Sequence, residues 1–424
     1  MPRIAFPSNR RQPISQIGGD WRCEAADAEA IILYGPGGFH PVRLGDQLKD
    51  GRYKILHKLG SSNFSTIWAA RDRMEQRYVT VKIYQSKWEE TNEVPVFRSI
   101  SSLPKNTHSG QQHIVQFFDS FDVEGPSGRH QCLVLELLGP CILDLFGAAS
   151  TEVRLPALQA KSIAHQILLA TDLLASQGIA HGDIHTRNIA FTIPNLDPLP
   201  EHEFIKLLGE PETGLVSRCD GSTLESYMPP YLVMPATFEE SGFFKDLPSS
   251  STVKLIDFGS SFFEGKAPNK LIASLSARAP EATFGDPIDI RADLWSMGCL
   301  LFELLTGQIP FHTVPLTSAS AFAAVRGISD DKLPDRWEEK WQEMKKELRM
   351  DCDDSDPDVT LYGWLERAYY YRKEWPCELT KEDLTKIGDL LERMWKYEPS
   401  SRPSTKDLLN DPWWLQQQTK SVDD

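Results

Sequence analysis

The pattern of apolar and polar positions divides the chain into a strand-rich first part and a helix-rich second part. From Tyr53 three segments alternate apolar with polar residues and are rich in β-branched side chains, and the apolar run at 133–137 predicts a further, buried strand. Beyond Gly139 apolar residues recur at helical spacing, over 160–176 and again over 293–305. This succession predicts an α+β fold with two lobes, a small β-rich N-lobe and a larger, mainly helical C-lobe, with a cleft between them.

The same pattern sets the expected domain boundaries. We predict an N-terminal extension over 1–52, an N-lobe over 53–138, a C-lobe over 139–414 and a tail over 415–424. Residues 1–40 are polar and rich in Gly, Pro and Arg, so we expect them to be largely irregular. Two inserts interrupt the C-lobe, one at about 193–251 and a second, mixed one at about 312–380.

The composition narrows the classes of partner and compartment. The 424 residues carry 45 basic and 60 acidic side chains, a net charge of −15, which argues against a nucleic-acid or anionic-membrane surface and suits an enzyme with basic substrates. The seven cysteines are scattered without a C-x-x-C pair, so no disulfide framework or zinc site is predicted. We recognise no signal peptide and no run of about 20 apolar residues. We expect a soluble monomer of the cytoplasm, the nucleus or both, without direct nucleic-acid or membrane partners.

A turn rich in serine lies between two of the predicted strands, in the sequence LGSSNFS at 59–65. A glycine turn at this place lets backbone amides approach triphosphate oxygens, although only Gly60 remains of a G-x-G-x-x-G pattern and a plain hairpin would look the same. Lys82, in the next strand, can neutralise two phosphates if a carboxylate holds it, and Glu93 is the candidate partner from the following helix. Most Lys–Glu pairs on protein surfaces contribute nothing measurable to stability. The prediction that Lys82 and Glu93 form a functional pair therefore depends on the other motifs of the chain.

Those motifs are HGDIHTRN at 181–188 and DFG at 257–259, the second one directly after a predicted strand. Phosphoryl transfer needs a carboxylate that orients the attacking hydroxyl and takes its proton, and a metal ion that holds the phosphates. Asp183 supplies the carboxylate, and Asn188 and Asp257 offer the hard oxygen ligands that Mg²⁺ prefers. The alternative, a capping aspartate and a chance tripeptide, does not account for the intact H-x-D-x-x-x-x-N spacing.

With these motifs in order, residues 53–414 resemble the eukaryotic protein kinases. HGDIHTRN is also similar to the loop of small-molecule kinases of the aminoglycoside and choline phosphotransferase type, but those enzymes lack the later motifs of this chain. These motifs are APE at 279–281, DLWSMG at 293–298 and SRPS at 401–404. The resemblance implies that Glu281 pairs with Arg402 and that Asp293 braces the catalytic loop, both as structural contacts.

Two segments indicate a particular group within the protein kinases. YGPGGFHPV at 34–42 and NFSTIW at 63–68 are similar to segments of the serine/arginine-rich-protein kinases, the SRPK group, and the first insert lies where that group carries its spacer. The resemblance implies a divergent, fungal-like member that phosphorylates serine, or threonine, in Arg/Ser-rich proteins and acts in the regulation of mRNA splicing. Five aspartates at 351–358 are a candidate docking site for basic substrate segments, although a solvated loop is the commoner meaning of such a run.

The resemblance also implies which residues hold the cofactors, ATP and Mg²⁺. Adenine is expected to contact residues 136–139, which link the two predicted lobes. Backbone groups would orient the adenine there, and apolar side chains would bury it. We assign catalysis to Asp183, Lys82, Glu93 and Arg187, metal binding to Asn188 and Asp257, and nucleotide binding to Leu59, Gly60, Ser61, Ser62, Ile67, Lys82, Glu136 and Leu138.

Several positions depart from the kinase pattern. Gly182 stands where most kinases have an arginine that contacts a phosphate on the activation loop, so we expect activity without that phosphorylation. His185 replaces the lysine of serine/threonine kinases, and Arg187 either steadies the transferring phosphate or is an exposed loop residue. With Thr80 in the adenine roof and a glycine-poor loop, these changes leave a second interpretation open, a pseudokinase or nucleotide-binding scaffold.

Overall fold

A computed structural model gives the fold of the chain. It describes residues 16–25, 27–87, 92–145, 154–238, 251–271, 273–348, 360–372 and 375–415. Its strands are β1 (Gln16–Gly18), β2 (Trp21–Cys23), β3 (Gln47–Leu48), β4 (Tyr53–Ser61), β5 (Ser65–Asp72), β6 (Arg77–Tyr84), β7 (Phe117–Gly125), β8 (Gly128–Glu136), β9 (Ile179–Ala180), β10 (Ile189–Phe191), β11 (Thr213–Arg218), β12 (Tyr231–Val233), β13 (Val253–Leu255) and β14 (Phe262–Phe263). Its α-helices are α1 (Glu93–Ser101), α2 (Ile142–Leu145), α3 (Ala157–Ser176), α4 (Glu201–Leu208), α5 (Pro280–Phe284), α6 (Ala292–Thr306), α7 (Ser318–Arg326), α8 (Glu338–Leu348), α9 (Leu361–Tyr369), α10 (Lys381–Met394), α11 (Thr405–Leu409) and α12 (Pro412–Leu415).

The first of two compact units is built around a six-stranded antiparallel sheet. The unit contains Met1–Glu90, Gln116–Leu138 and Ile193–Asp246. The strand order is β3-β4-β5-β6-β8-β7. Successive side chains of a strand point to opposite faces, and this alternation buries Tyr53 and Ile55 of β4 in one apolar core with Trp68 of β5.

The N-terminal extension contributes to a second sheet of this unit, in the order β1-β2-β11-β12. β2 comes from the extension and pairs with β11 of the first insert, where Arg22 lies opposite Ser217. Phe39 and Leu232 belong to the apolar core shared by these segments. Apart from β1, β2 and a short 3-10 helix (Ile31–Leu33), the described part of residues 1–40 consists of turns and irregular segments, and the pairing of β2 with β11 is the feature that the sequence does not predict.

The first insert packs on the main sheet of the same unit. Phe204 of α4 stacks on Tyr78 of β6 with 3.7 Å between ring centroids. The backbone N–H of Tyr78 donates to Oδ1 of Asp197 at 2.8 Å, and Lys54 of β4 contacts Glu201 at 2.6 Å. The sequence pattern predicts this insert as part of the C-lobe. Its described residues belong to the strand-rich unit, because their apolar side chains are buried against β4 and β6.

The second unit is mainly helical, and α6 is buried at every residue. The unit contains Thr91–Val115, Gly139–Thr192 and Leu247–Asp424. α3 and α10 pack on α6, and α11 packs on α3. Helix α1 also belongs to this unit, although the predicted N-lobe included it, because Phe97 packs on Phe258 with 4.9 Å between ring centroids.

The predicted α+β class, with a strand-rich first unit and a larger helical second unit, is confirmed. The acidic run at 351–358 lies outside the described residues, so its docking role stays a hypothesis. Among the helices that the structure describes, none is both long and apolar enough to cross a membrane.

Candidate active site

The candidate catalytic loop extends from His181 to Asn188, between β9 and β10. Asp293, in the first turn of α6, accepts hydrogen bonds from the backbone N–H of His181 at 2.6 Å and of Gly182 at 2.8 Å. Burial raises the pKa of the Asp293 carboxyl to about 6, while these two hydrogen bonds act in the opposite direction. The contact implied by the kinase resemblance is confirmed, and it fixes the loop backbone relative to the core helix.

Asp183 is oriented by two side chains of its own loop. Asn188 Nδ2 donates to the backbone oxygen of Asp183 at 2.9 Å and lies 3.2 Å from its carboxylate Oδ2. His185 Nδ1 accepts the backbone N–H of Arg187 at 3.2 Å, and its Nε2 lies 3.3 Å from the same Oδ2 and 3.2 Å from Asn188 Nδ2. The sequence spacing did not reveal this contact of His185. The Arg187 side chain is exposed, and its contact with a phosphate stays a prediction.

The donor atoms of the second unit fit a magnesium ion. Because Asn188 Nδ2 is directed at Asp183, the amide oxygen points the other way, and it has no hydrogen-bond partner among the described residues. Asp257 has a left-handed backbone, with φ 60° and ψ 77°, and its Oδ1 accepts the N–H of Gly259 at 3.3 Å. An amide oxygen and a carboxylate are hard ligands of the kind that Mg²⁺ prefers.

Phe258 connects the DFG segment to α1 and to the catalytic loop. Its backbone N–H donates to Oε1 of the buried Glu93 at 3.1 Å. Its ring centroid lies 4.8 Å from that of His181, whose Nε2 donates to the backbone oxygen of Ile256 at 3.0 Å. These contacts bring three predicted segments together within the second unit. The pairing of Glu93 with Lys82, which belongs to the first unit, stays a prediction.

The nucleotide-binding candidates of the first unit lie on its main sheet. Lys82 of β6 lies opposite Ile67 of β5 and is 5% exposed. Its Nζ is 4.8 Å from the ring centroid of Tyr84. Glu136 ends β8, and the buried Leu138 follows two positions later.

The remaining candidates lie where β4 turns into β5: Leu59, Gly60 and Ser61 end β4, and Ser62 begins the turn. An added Cβ at Gly60 would meet no atom within 4 Å, and the backbone of Gly60 is outside the left-handed region. The fold itself therefore does not require glycine at this position. The open space beside Gly60 is what the approach of a phosphate to the turn would need.

Comparison with protein families matches residues 53–207 and 244–414 to the protein kinase domain. The chain belongs to the protein kinase domain family. This match includes every candidate catalytic and metal-binding residue assigned from the sequence.

Known kinases are similar to this kinase over most of its length. It is 25% identical over 408 residues to the serine/threonine-protein kinase SRPK of Physarum polycephalum, covering 92% of this chain and 91% of the relative. It is 26% identical to the protein kinase dsk1 of Schizosaccharomyces pombe, covering 90% and 84%. It is 28% identical to a serine/threonine protein kinase of Aspergillus fumigatus, covering 92% and 91%. The resemblance to the SRPK group and the assignment to the serine/threonine-protein kinases are confirmed.

A buried ion pair joins two of the motifs that are typical of protein kinases. Both terminal nitrogens of the Arg402 guanidinium donate to the Glu281 carboxylate at 2.7 Å, and both side chains are fully buried. Two parallel hydrogen bonds between charged groups fix the relative position of the two partners. The pairing implied by the kinase resemblance is confirmed as a structural contact of this kinase.

Local geometry in this kinase requires the glycine at 182. Gly182 has φ +80°, and an added Cβ would lie 2.5 Å from the carbonyl oxygen of Ser260. No side chain fits there unless Ser260 moves, and L-residues adopt this φ at a cost. The absence of the usual arginine therefore has a steric explanation in this chain.

Gly182→Ala is expected to lower the free energy of unfolding by about 1–3 kcal/mol more than Gly265→Ala does. Gly265 is a matched control, because it has φ +75° with nothing within 4 Å of an added Cβ, so its variant carries the backbone strain alone. Denaturant unfolding of both variants measures the difference. Equal losses would show that Ser260 moves aside at no cost.

Proposed function

We propose that this kinase transfers the γ-phosphoryl group of ATP to a serine or threonine hydroxyl of a protein. The observation that carries the proposal is the Asp183 carboxylate, which Asn188 and His185 orient on a loop whose backbone is fixed by Asp293. Bound ATP with Mg²⁺ would supply the activated phosphoryl group. Asp183 would orient the substrate hydroxyl and accept its proton, and Asn188 and Asp257 would hold the metal.

We assign nucleotide binding to the first unit. Lys82 would contact the phosphates, and the segment at 136–138 would meet the adenine with backbone donors and acceptors. The open space beside Gly60 supports an approach of the phosphates to the β4–β5 turn.

Arg/Ser-rich proteins are the substrate class that we propose. Two observations support this substrate class: the net charge of −15 and the resemblance to the SRPK group. Carboxylates pair well with the guanidinium groups that such substrates carry. A role in splicing regulation, a monomeric state and a cytoplasmic or nuclear location belong to the same proposal.

The test is the transfer of label from radiolabelled ATP with Mg²⁺ to an Arg/Ser-repeat peptide, with the unphosphorylated 424-residue chain as enzyme. We expect label on serine, with a higher kcat/KM than for a Lys/Ser-repeat peptide of equal charge, because lysine lacks the planar fork of arginine. Equal rates for the two peptides would remove the Arg/Ser preference and keep the kinase. A chain that binds ATP and labels no Ser-, Thr- or Tyr-containing substrate would be a nucleotide-binding scaffold.

A further inference from the structure

The turn that connects β4 and β5 is closed by the side chain of Ser62. The backbone N–H of Ser62 donates to the backbone oxygen of Ser65 at 2.8 Å, which closes a hairpin turn. The Ser62 hydroxyl oxygen then accepts the backbone N–H groups of Phe64 at 3.2 Å and of Ser65 at 3.1 Å. One hydroxyl therefore occupies two successive amides of the turn.

The other side of the turn is held by Gln85, directly after β6. The backbone N–H of Gln85 donates to the oxygen of Phe64 at 2.9 Å, and its Nε2 donates to the oxygen of Asn63 at 3.0 Å. Ser65 is buried, and its hydroxyl lies 3.1 Å from that of Ser62. The carbonyl groups of the turn are thus fixed by Gln85, and two of its amides are directed at Ser62.

Backbone amides in such a turn are the groups that a glycine-rich loop offers to phosphate oxygens. Ser62 occupies the place of the second glycine in the G-x-G-x-x-G pattern, where glycine would have no side chain to compete for those amides. The Ser62 hydroxyl oxygen therefore accepts hydrogen bonds from the same amides that a phosphate oxygen would use, but it carries no charge. A charged oxygen is the stronger acceptor, so a phosphate can displace the hydroxyl, but part of its gain is offset by the two bonds that break.

We propose that Ser62 is an internal competitor for the phosphate-binding amides of the β4–β5 turn and thereby lowers the affinity of this kinase for ATP. The proposal rests on the proposed function, because it assumes that ATP binds at this turn. The nucleoside part of the ligand does not involve these amides, so the effect of Ser62 is confined to ligands that carry phosphates.

The same hydroxyl could act in the opposite way and strengthen ATP binding, and the experiment has to distinguish the two effects. If the Ser62 hydroxyl instead donated to a bound phosphate, its removal would weaken ATP binding. Ser101 provides a control, because it is an exposed serine at the end of α1, outside the nucleotide-binding candidates, and its hydroxyl forms no hydrogen bond with the described residues.

The experiment is calorimetric titration of the 424-residue chain with ATP–Mg²⁺, ADP–Mg²⁺ and adenosine, for the wild type, Ser62→Ala, Ser62→Gly and the control Ser101→Ala. Ser62→Ala is expected to lower the Kd for ATP by about three- to tenfold and to leave the Kd for adenosine within about twofold. Ser62→Gly is expected to shift the ATP affinity in the same direction, and Ser101→Ala is expected to leave the Kd of all three ligands unchanged.

Four outcomes are decisive. A selective gain for ATP in the Ser62 variants supports the competition. Unchanged or weaker ATP binding by Ser62→Ala, with a wild type that binds ATP, overturns this inference and leaves the proposed function intact. An equal gain for ATP and adenosine overturns it too, because the change would then act on the whole site. A wild type that binds none of the three ligands overturns the proposed function as well.

Discussion

Replacing Asp183 by asparagine is expected to lower kcat for phosphoryl transfer by about 10²- to 10⁴-fold, with thermal stability and ATP affinity close to the wild type. Asparagine keeps the size of the side chain, but it cannot take the proton of the attacking hydroxyl. The bond from Asn188 Nδ2 to the backbone oxygen of residue 183 does not involve the replaced carboxylate, so the loop is expected to keep its shape. The loss should therefore fall on the chemical step.

The measurement is single-turnover transfer of labelled phosphate, together with ATP titration and thermal unfolding of the same variant. Asp330→Asn is the matched control, since Asp330 is an exposed aspartate and its replacement changes the net charge by the same amount. An Asp183→Asn variant that transfers phosphate at a rate within about tenfold of the wild-type rate would rule out Asp183 as the base. The proposed function would then lose the observation that carries it.

The residues of the catalytic loop could be predicted because the chemistry restricts both residue type and spacing. Asp183, Asn188 and Asp257 are the oxygen donors that phosphoryl transfer with a metal requires, and the structure brings Asp183 and Asn188 together. The contact of His185 with Asp183 was not predictable in the same way. A histidine in place of a lysine shows in the sequence, but the atom that its ring contacts depends on the backbone N–H of Arg187.

The strands of the main sheet were also predictable, since alternation of apolar and polar residues is a local signal. The second sheet was not, because its pairing is non-local. Arg22 of β2 and Ser217 of β11 are 195 positions apart in sequence, and no pattern in either segment identifies the other. The same limit explains why the first insert was assigned to the wrong unit: the apolar residues of α4 show that it packs somewhere, but they do not show on what.

The largest effect on stability is expected from a buried charge pair that the sequence did not reveal. The Lys58 ammonium of β4 contacts the Glu29 carboxylate of the N-terminal extension, and both side chains are almost completely buried. The Tyr34 hydroxyl donates to Oε1 of Glu29, and the Lys58 Nζ lies 5.3 Å from the ring centroid of Trp68. Lys58 directly precedes Leu59, the first of the nucleotide-binding candidates on β4, so this pair connects the extension to the strand that leads into the candidate phosphate site.

Glu29→Gln and Lys58→Met are each expected to lower the free energy of unfolding by about 3–5 kcal/mol, because each variant leaves one buried charge without its partner. The double variant removes both charges and should lose at least about 2 kcal/mol less than the sum of the single losses. The exposed pair Lys332–Asp335 is the control, and its double-mutant cycle should give a coupling of about 0–1 kcal/mol. Denaturant unfolding of the single and double variants gives both coupling energies.

The pH dependence of Glu29→Gln distinguishes a lost charge pair from lost packing. Burial lowers the pKa of Lys58 to about 7, and the neighbouring carboxylate of the wild type favours the charged form. Without that carboxylate the pKa of Lys58 in the folded variant falls further, so the folded state releases the proton at a lower pH than the unfolded chain, which keeps it up to about pH 10. The unfolded state then binds more protons, so the stability of Glu29→Gln should rise from pH 7 to pH 9 relative to the double variant, in which neither side chain titrates. Parallel pH profiles for Glu29→Gln and the double variant would show that Glu29 and Lys58 contribute independently and that packing alone attaches the extension to β4. Single losses that simply add in the double variant would show the same.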